Sequence, residues 1–170
     1  VHAHLLPTHK QILSKHYRLT KLKLMKRMAT GKEFFTPIAG SALKLTEDDL
    51  SELENLYAKR VETFFLSDML TSGVYYGIRR DGKLVSAAGT HVISPSYKMA
   101  CIGNVFTLPS YRNKGYATIC TSKVVEDLLR NYKDVILNVD SKNVPAIKVY
   151  KKLGFREHCT FFEGQGTKKH

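Results

Sequence analysis

The sequence predicts an α/β domain, a mixed sheet with helices on its faces. Three observations predict it. Strand-like segments cluster in the middle of the chain and then alternate with helical ones from residue 116 onward. The pair Asp81-Gly82 sits between two apolar runs, as a two-residue hairpin turn requires. The 170 residues, 43% apolar and 25% charged, suffice for one domain with its own core.

Each element has a local reason. Pro7 and Thr8 open a helix over 9–16, with Thr8 as its cap. Leu22 and Leu24 alternate with Lys21 and Lys23, so 19–28 reads as a strand. Residues 29–40, with Gly31, Pro37 and Gly40, read as a linker whose Phe34 and Phe35 pack on a neighbour. The boundary is expected here, between a basic N-terminal segment, 1–40, and a folded domain, 41–170. In that domain 42–45 is a short strand. Thr46 caps a helix whose first turn holds Glu47, Asp48 and Asp49, where acids suit the dipole. Leu50, Leu53, Leu56 and Tyr57 give that helix one apolar face, and a second helix covers 61–71. Strands 74–80 and 83–93 form the hairpin. After Ser94-Pro95-Ser96 come a strand over 99–108 and a helix over 116–131, with Ala117, Cys120, Val124 and Leu128 on one stripe. Strand 135–139 is apolar enough to be buried on both faces. Asn143 opens a helix over 143–153 that carries Pro145 in its first turn and stops at Gly154. A strand over 155–162 ends the order.

Composition narrows the function. No window approaches the ~18 apolar residues of a membrane span, and no secretory signal opens the chain. Cys101, Cys120 and Cys159 are too scattered for a disulfide framework or a zinc knuckle, so free thiols in a cytoplasmic setting are expected. His2, His4 and His9 have no acid or cysteine near them in sequence, and no metal is expected. The net charge of +12 is uneven: residues 1–34 hold eight basic side chains against the single acid Glu33. Such a surface attracts polyanions. A nucleic-acid partner needs stacking aromatics among the cations, and this stretch has only Tyr17, Phe34 and Phe35, so nucleic acid is not favoured.

Two segments carry chemistry. In Thr107-Leu108-Pro109-Ser110-Tyr111-Arg112-Asn113-Lys114-Gly115-Tyr116-Ala117-Thr118 a strand ends, a tight turn follows and a helix begins near Gly115. The first amides of a helix lack intrahelical partners and are partially positive, which suits a pyrophosphate. Gly115 lets the backbone approach closely, and Arg112 and Lys114 add charge. The second segment runs from Asn143 through Ala146 and Tyr150 to Gly154-Phe155. Tyr150 lies seven residues past Asn143, on the same helical face.

The strand, R-x-x-G-x-A, helix, strand, N-x-x-A-x-x-x-Y-x-x-x-G-F order resembles the GNAT acetyltransferase superfamily over residues 41–162. The resemblance extends more faintly to two-domain, glycine N-acyltransferase-like members, with 1–40 as the end of a preceding domain. Val1 in place of Met fits an excerpt of a longer chain. The resemblance implies a mostly antiparallel sheet whose two central parallel strands, around 99–108 and 135–139, splay apart to hold acetyl-CoA as co-substrate. The amides of Asn113, Lys114, Gly115, Tyr116 and Ala117 would hold the pyrophosphate, with Arg112 and Thr118 beside them. Val105, Phe106 and Thr107 would meet the pantetheine arm, Asn143 would touch it from the other side, and Lys114, Lys148, Lys151 and Lys152 would steer the phosphates. Tyr150 would protonate the leaving thiolate in direct transfer of an acetyl or other short acyl group to a primary amine.

A base is missing. Residues 100–106, where many members carry a carboxylate, hold no acid or histidine. His91, Glu62 and Asp68 are weaker candidates, and nothing near Cys101 activates it as a nucleophile. The alternative is an acyl-CoA-binding regulatory module without turnover. The acceptor is expected to be a small-molecule or protein amine, with no membrane partner. A homodimer and a preceding domain are both compatible with the sequence.

Overall fold

The structure, a computed structural model, describes residues 1–60 and 65–169. Its strands are β1 (His2–Leu5), β2 (Tyr17–Gly31), β3 (Leu43–Lys44), β4 (Tyr75–Arg80), β5 (Lys83–Ser94), β6 (Met99–Thr107), β7 (Asp134–Asp140) and β8 (Arg156–Lys168). Its helices are α1 (Pro7–His16), α2 (Leu50–Tyr57), α3 (Asp68–Ser72), α4 (Tyr116–Leu128) and α5 (Val144–Lys152). All eight strands form one sheet in the order β1-β8-β2-β7-β6-β5-β4-β3. Among the described residues only β6 and β7 run parallel; every other pair is antiparallel. From β3 onward the elements follow the expected order. Among the described residues, no helix is long and apolar enough to cross a membrane.

The residues before 41 enter this same sheet. β2 lies between β7 and β8 and pairs with both, and β1 pairs with β8 at the edge. Part of the N-terminal charge is engaged within the chain. Lys26 Nζ donates to Glu157 Oε2 at 2.5 Å, Arg27 Nε donates to Asn138 Oδ1 at 3.0 Å, and Lys10 lies over the Phe162 ring at 4.6 Å. The Arg156 guanidinium covers the Phe34 ring at 3.6 Å, while Phe35 packs against the core.

Two apolar layers flank the sheet. On one side α4 and α5 close over Met28, Val85, Ala88, Ala100, Ile102, Val135, Leu137 and Val139. On the other, α2 and α3 bring Leu53, Leu56, Tyr57 and Leu70 onto Tyr75, Leu84 and Ala87. The hairpin turn has the left-handed backbone of type I′, with Asp81 at φ 52° and Gly82 at φ 71°. Thr46 N donates to Asp49 Oδ2 at 2.8 Å, so the expected N-terminal cap forms around a 3-10 turn, Glu47–Asp49, ahead of α2.

Three local expectations change. α1 begins at Pro7 with Leu6 as its cap, and Thr8 lies inside the helix. Proline suits that first position because its fixed φ is helical and its missing N–H would be unpaired there anyway. β7 is not buried on both faces. Val135, Leu137 and Val139 are buried beneath the helices, whereas Ile136 and Asn138 are only half-buried, because α2 and α3 cover the other end of the sheet. The helix expected over 61–71 starts outside the described residues; α3 is its described end.

Candidate active site

β6 and β7 pair only from Met99–Asp134 to Ile102–Leu137 and then part. β7 continues along β2 as far as Asp140 opposite Met25, while β6 continues along β5 as far as Thr107 opposite Ser86. A bulge turns β6 away. Between Gly103 and Phe106 it spends three steps where β5 spends two, and Asn104 takes φ 51°. Asparagine tolerates that backbone better than most residues, and two buried tyrosines hold it there. Tyr57 Oη donates to the Asn104 carbonyl oxygen, and Asn104 Nδ2 donates to Tyr75 Oη at 3.1 Å. Tyr75 Oη in turn donates to the Thr90 carbonyl at 2.9 Å. Past the bulge, the β6 backbone groups facing β7 have no strand to pair with, and they line a cleft of about 1140 Å³.

The turn after β6 forms one end of this cleft. Gly115 caps α4 in the left-handed conformation, φ 78°, and Asn113 is left-handed too, φ 62°. Ile119 N donates to the Gly115 carbonyl, so the amides of Tyr116, Ala117 and Thr118 precede the first intrahelical bond. A Cβ on Gly115 would meet nothing within 4 Å, so the space beside these amides is open. Arg112 Nε donates to the Thr107 carbonyl at 3.2 Å, which ties its cationic arm to the end of β6.

α5 forms the opposite wall. The Asn143 Oδ1 accepts from Ala146 N at 3.2 Å and caps the helix, so this side chain holds the wall in place as well as facing the cleft. Asn143, Ala146, Val149 and Tyr150 all line the cleft, with Asn143 and Tyr150 on one helical face as their spacing predicts. The helix closes in a Schellman motif. Phe155 N donates to the Tyr150 carbonyl and Gly154 N to the Lys151 carbonyl, with Gly154 at φ 88°. The Tyr150 ring meets Phe155 edge-on at 6.0 Å. Among the described residues its hydroxyl has no hydrogen-bond partner, although the residue is only 8% exposed. Burial pushes the phenol up to about 12, with the Arg60 charge pulling the other way, so it keeps its proton at neutral pH.

Of the residues singled out from sequence, Val105, Phe106, Thr107, Arg112, Asn113, Gly115, Tyr116, Ala117, Thr118, Asn143 and Tyr150 all line this cleft. Lys114 does not; its ammonium lies over the Tyr111 ring at 5.4 Å. Lys148, Lys151 and Lys152 are exposed on α5 away from the lining, Asp68 is not in it, and Glu62 falls outside the described residues. The cleft also contains residues that sequence reasoning missed: Lys23 and Met25 from β2, Lys59 and Arg60 after α2, Asp140 from β7 and Glu163 from β8. No local motif marks them, because each arrives through strand pairing or helix packing.

Two of these bear on the missing base. Asp140 Oδ1 accepts from Lys142 N at 2.8 Å and serves the turn into α5. Glu163 is the other carboxylate of the lining. His91, in a bulge of β5 between the Thr90 and Val92 pairings, stands beside Gly103, where an added Cβ would come within 3.1 Å of the His91 Cβ. Burial lowers the imidazole pKa, Glu163 raises it and His4 lowers it, with a net downward shift. Burial pushes the Cys101 thiol up to about 11, so it is protonated and a poor nucleophile.

The sheet thus opens at a bulge, beside a helix start whose amides face open space and a buried tyrosine. The family model of the Acetyltransferase (GNAT) family matches residues 41–155, and the chain belongs to that family. Solved structures share the fold. A GNAT-family protein from Novosphingobium aromaticivorans is 24% identical, with a TM-score of 0.79 over 91% of this chain and 69% of its own. A GCN5-related N-acetyltransferase from Kribbella flavida is 16% identical, with a TM-score of 0.73 over 94% and 64%. A tandem GNAT protein from the clavulanic acid biosynthesis pathway is 13% identical, with a TM-score of 0.66 over 95% and 58%. The chain thus spans less than two thirds of the latter two. No curated protein matches it.

Proposed function

We propose that the chain is an N-acyltransferase that moves an acetyl or other short acyl group from acyl-CoA to a primary amine by direct transfer. One observation carries this reading: a single cleft holds an unpaired strand edge, open space over the amides at the start of α4, and the Tyr150 hydroxyl, which has no hydrogen-bond partner among the described residues. The residues present fit a CoA thioester. Its pyrophosphate suits the amides of 115–118 with Arg112 beside them, and its pantetheine amides suit the free β6 edge. The lining holds four basic side chains, Lys23, Lys59, Arg60 and Arg112, against Asp140 and Glu163. Its volume of about 1140 Å³ also exceeds the ~300–1000 Å³ of most small-ligand pockets.

A thioester supplies an activated acyl carbon and a thiolate leaving group. Tyr150 holds its proton at neutral pH and gives it to the departing sulfur. Backbone N–H groups of β6 past the bulge polarise the acyl carbonyl. Water in the cleft takes the proton of the incoming ammonium, which the carboxylates of Asp140 and Glu163 in the lining attract.

The test is steady-state release of CoA with a panel of amines. Tyr150→Phe is expected to bind acetyl-CoA as the wild type does and to lose ~10²–10⁴-fold in kcat. Equal kcat in the two proteins removes Tyr150 as the acid. Tight acyl-CoA binding with no turnover on any amine replaces the enzyme by a regulatory acyl-CoA-binding module.

A further inference from the structure

Beside the cleft, at the edge of the sheet, three side chains with metal-binding chemistry converge. We propose that His2, His4 and Glu163 bind a divalent transition ion of the zinc class, which fastens the edge strand β1 to β8. His2 and His4 are two residues apart on a strand, so their rings leave the same face. His4 is the pairing partner of Glu163 across the β1–β8 ladder, and His2 is the partner of Gln165, one step along that face. His2 Nε2 lies 3.4 Å from Glu163 Oε1, and His4 Nε2 lies 3.8 Å from Glu163 Oε2. One ligand atom from each residue can be chosen so that all three lie within 4.8 Å of one another.

These distances are close to those of a loaded site. Ligands about 2.0–2.2 Å from a tetrahedral zinc stand roughly 3.3–3.6 Å from each other. Side-chain rotation has to draw the three atoms from within 4.8 Å of one another to that spacing, and both imidazoles are exposed enough to turn. Two imidazoles and one carboxylate favour zinc, cobalt or nickel over calcium and magnesium, which take all-oxygen shells. The set leaves a position open for water. Phe161 packs against the His4 ring at 5.0 Å and limits its rotation, so part of the ordering cost is met before the ion arrives. Lys23 lies opposite Glu163 on the β2 side, and its charge opposes that of a bound cation. The sequence hid this cluster because the acid reaches the two histidines only through the pairing of the first strand with the last.

The experiment is titration of the whole chain, stripped by a chelator, with Zn²⁺ alone, followed by calorimetry and thermal unfolding. Co²⁺ is then substituted and its visible absorption recorded. The expected result is one equivalent bound, a Tm about 5–10 °C higher at a hundredfold excess over Kd, and the intense Co²⁺ bands of a low-coordinate nitrogen and oxygen site. His4→Ala and Glu163→Gln are each expected to weaken binding about tenfold or more, while His158→Ala, elsewhere on β8, binds as the wild type does. Because β1 is held by backbone pairing at an edge, circular dichroism should show both site variants folded. Equal affinity in the wild type and Glu163→Gln, or no saturable binding, overturns the proposal. Neither readout involves acyl-CoA, so failure here leaves the acyl-transfer reading standing, and the converse also holds.

Discussion

Replacing Gly115 by alanine separates the anion cradle from the stability of the fold. Gly115 has φ 78°, and a Cβ there meets nothing within 4 Å. The stability cost is therefore the left-handed backbone conformation alone, about 1–2 kcal/mol. In a domain of this size that lowers Tm by roughly 2–8 °C. Binding should suffer more. The new methyl projects into the space beside the amides of Tyr116, Ala117 and Thr118, where an anionic oxygen would sit. One lost charge-assisted hydrogen bond is worth about 1.5–3 kcal/mol, so Kd for acetyl-CoA should rise roughly 10–150-fold. Calorimetric titration with acetyl-CoA and with free CoA, run beside thermal unfolding, reads both quantities. Gly115→Asn is the companion variant, because asparagine tolerates the left-handed region while filling more of the space. An unchanged Kd in both variants, beside the expected fall in Tm, would refute the assignment of the pyrophosphate to this turn.

Other sites give sharper stability tests. Gly154 shares the left-handed backbone, but a Cβ on it would lie 1.8 Å from the Phe34 carbonyl oxygen, so Gly154→Ala should cost several times what Gly115→Ala costs in thermal unfolding. Tyr57→Phe leaves the buried Asn104 carbonyl without its tyrosine donor, which is worth about 1–3 kcal/mol. It should also weaken acetyl-CoA binding by loosening the bulge; unchanged affinity would mean that the Asn104–Tyr75 bond holds the bulge by itself. His91 has a folded pKa below its ordinary 6.5, so the unfolded chain takes up that proton first. Its contribution to stability is complete above about pH 6.5 and is lost as pH falls through the lower folded value. His91→Asn should flatten the dependence of Tm on pH in that window, and an unaltered slope would show that His91 is not the group responsible.

The legible parts of the fold are those settled within a few residues. Asp81-Gly82 dictates its turn because only certain residues accept that backbone. The cap at Thr46, the cap at Asn143 and the stop at Gly154 each satisfy orphan amides or carbonyls of their own helix. The spacing of Asn143, Ala146 and Tyr150 puts them on one face wherever the helix packs. Errors arose where the neighbourhood decides. β7 has the composition of a doubly buried strand, yet the helices cover only one of its faces at that point. Residues 29–40 look like a linker between units, but Thr36 N donates to the Leu153 carbonyl at 3.2 Å, strapping that stretch across the end of α5.

The cleft divides in the same way. The sequence by itself determined the turn, the helix start and the phenol, because each is a short-range pattern tied to one helix end. It could not determine the opening of β6 from β7. That opening depends on a left-handed Asn104 held by Tyr57 and Tyr75, from two other elements. Nor could it place Glu163, which reaches the cleft on a strand paired on both sides by N-terminal residues. Strand pairing carries no local mark in the sequence. Its energy comes from backbone bonds that any residues supply, and its partners are chosen by the packing of the whole sheet.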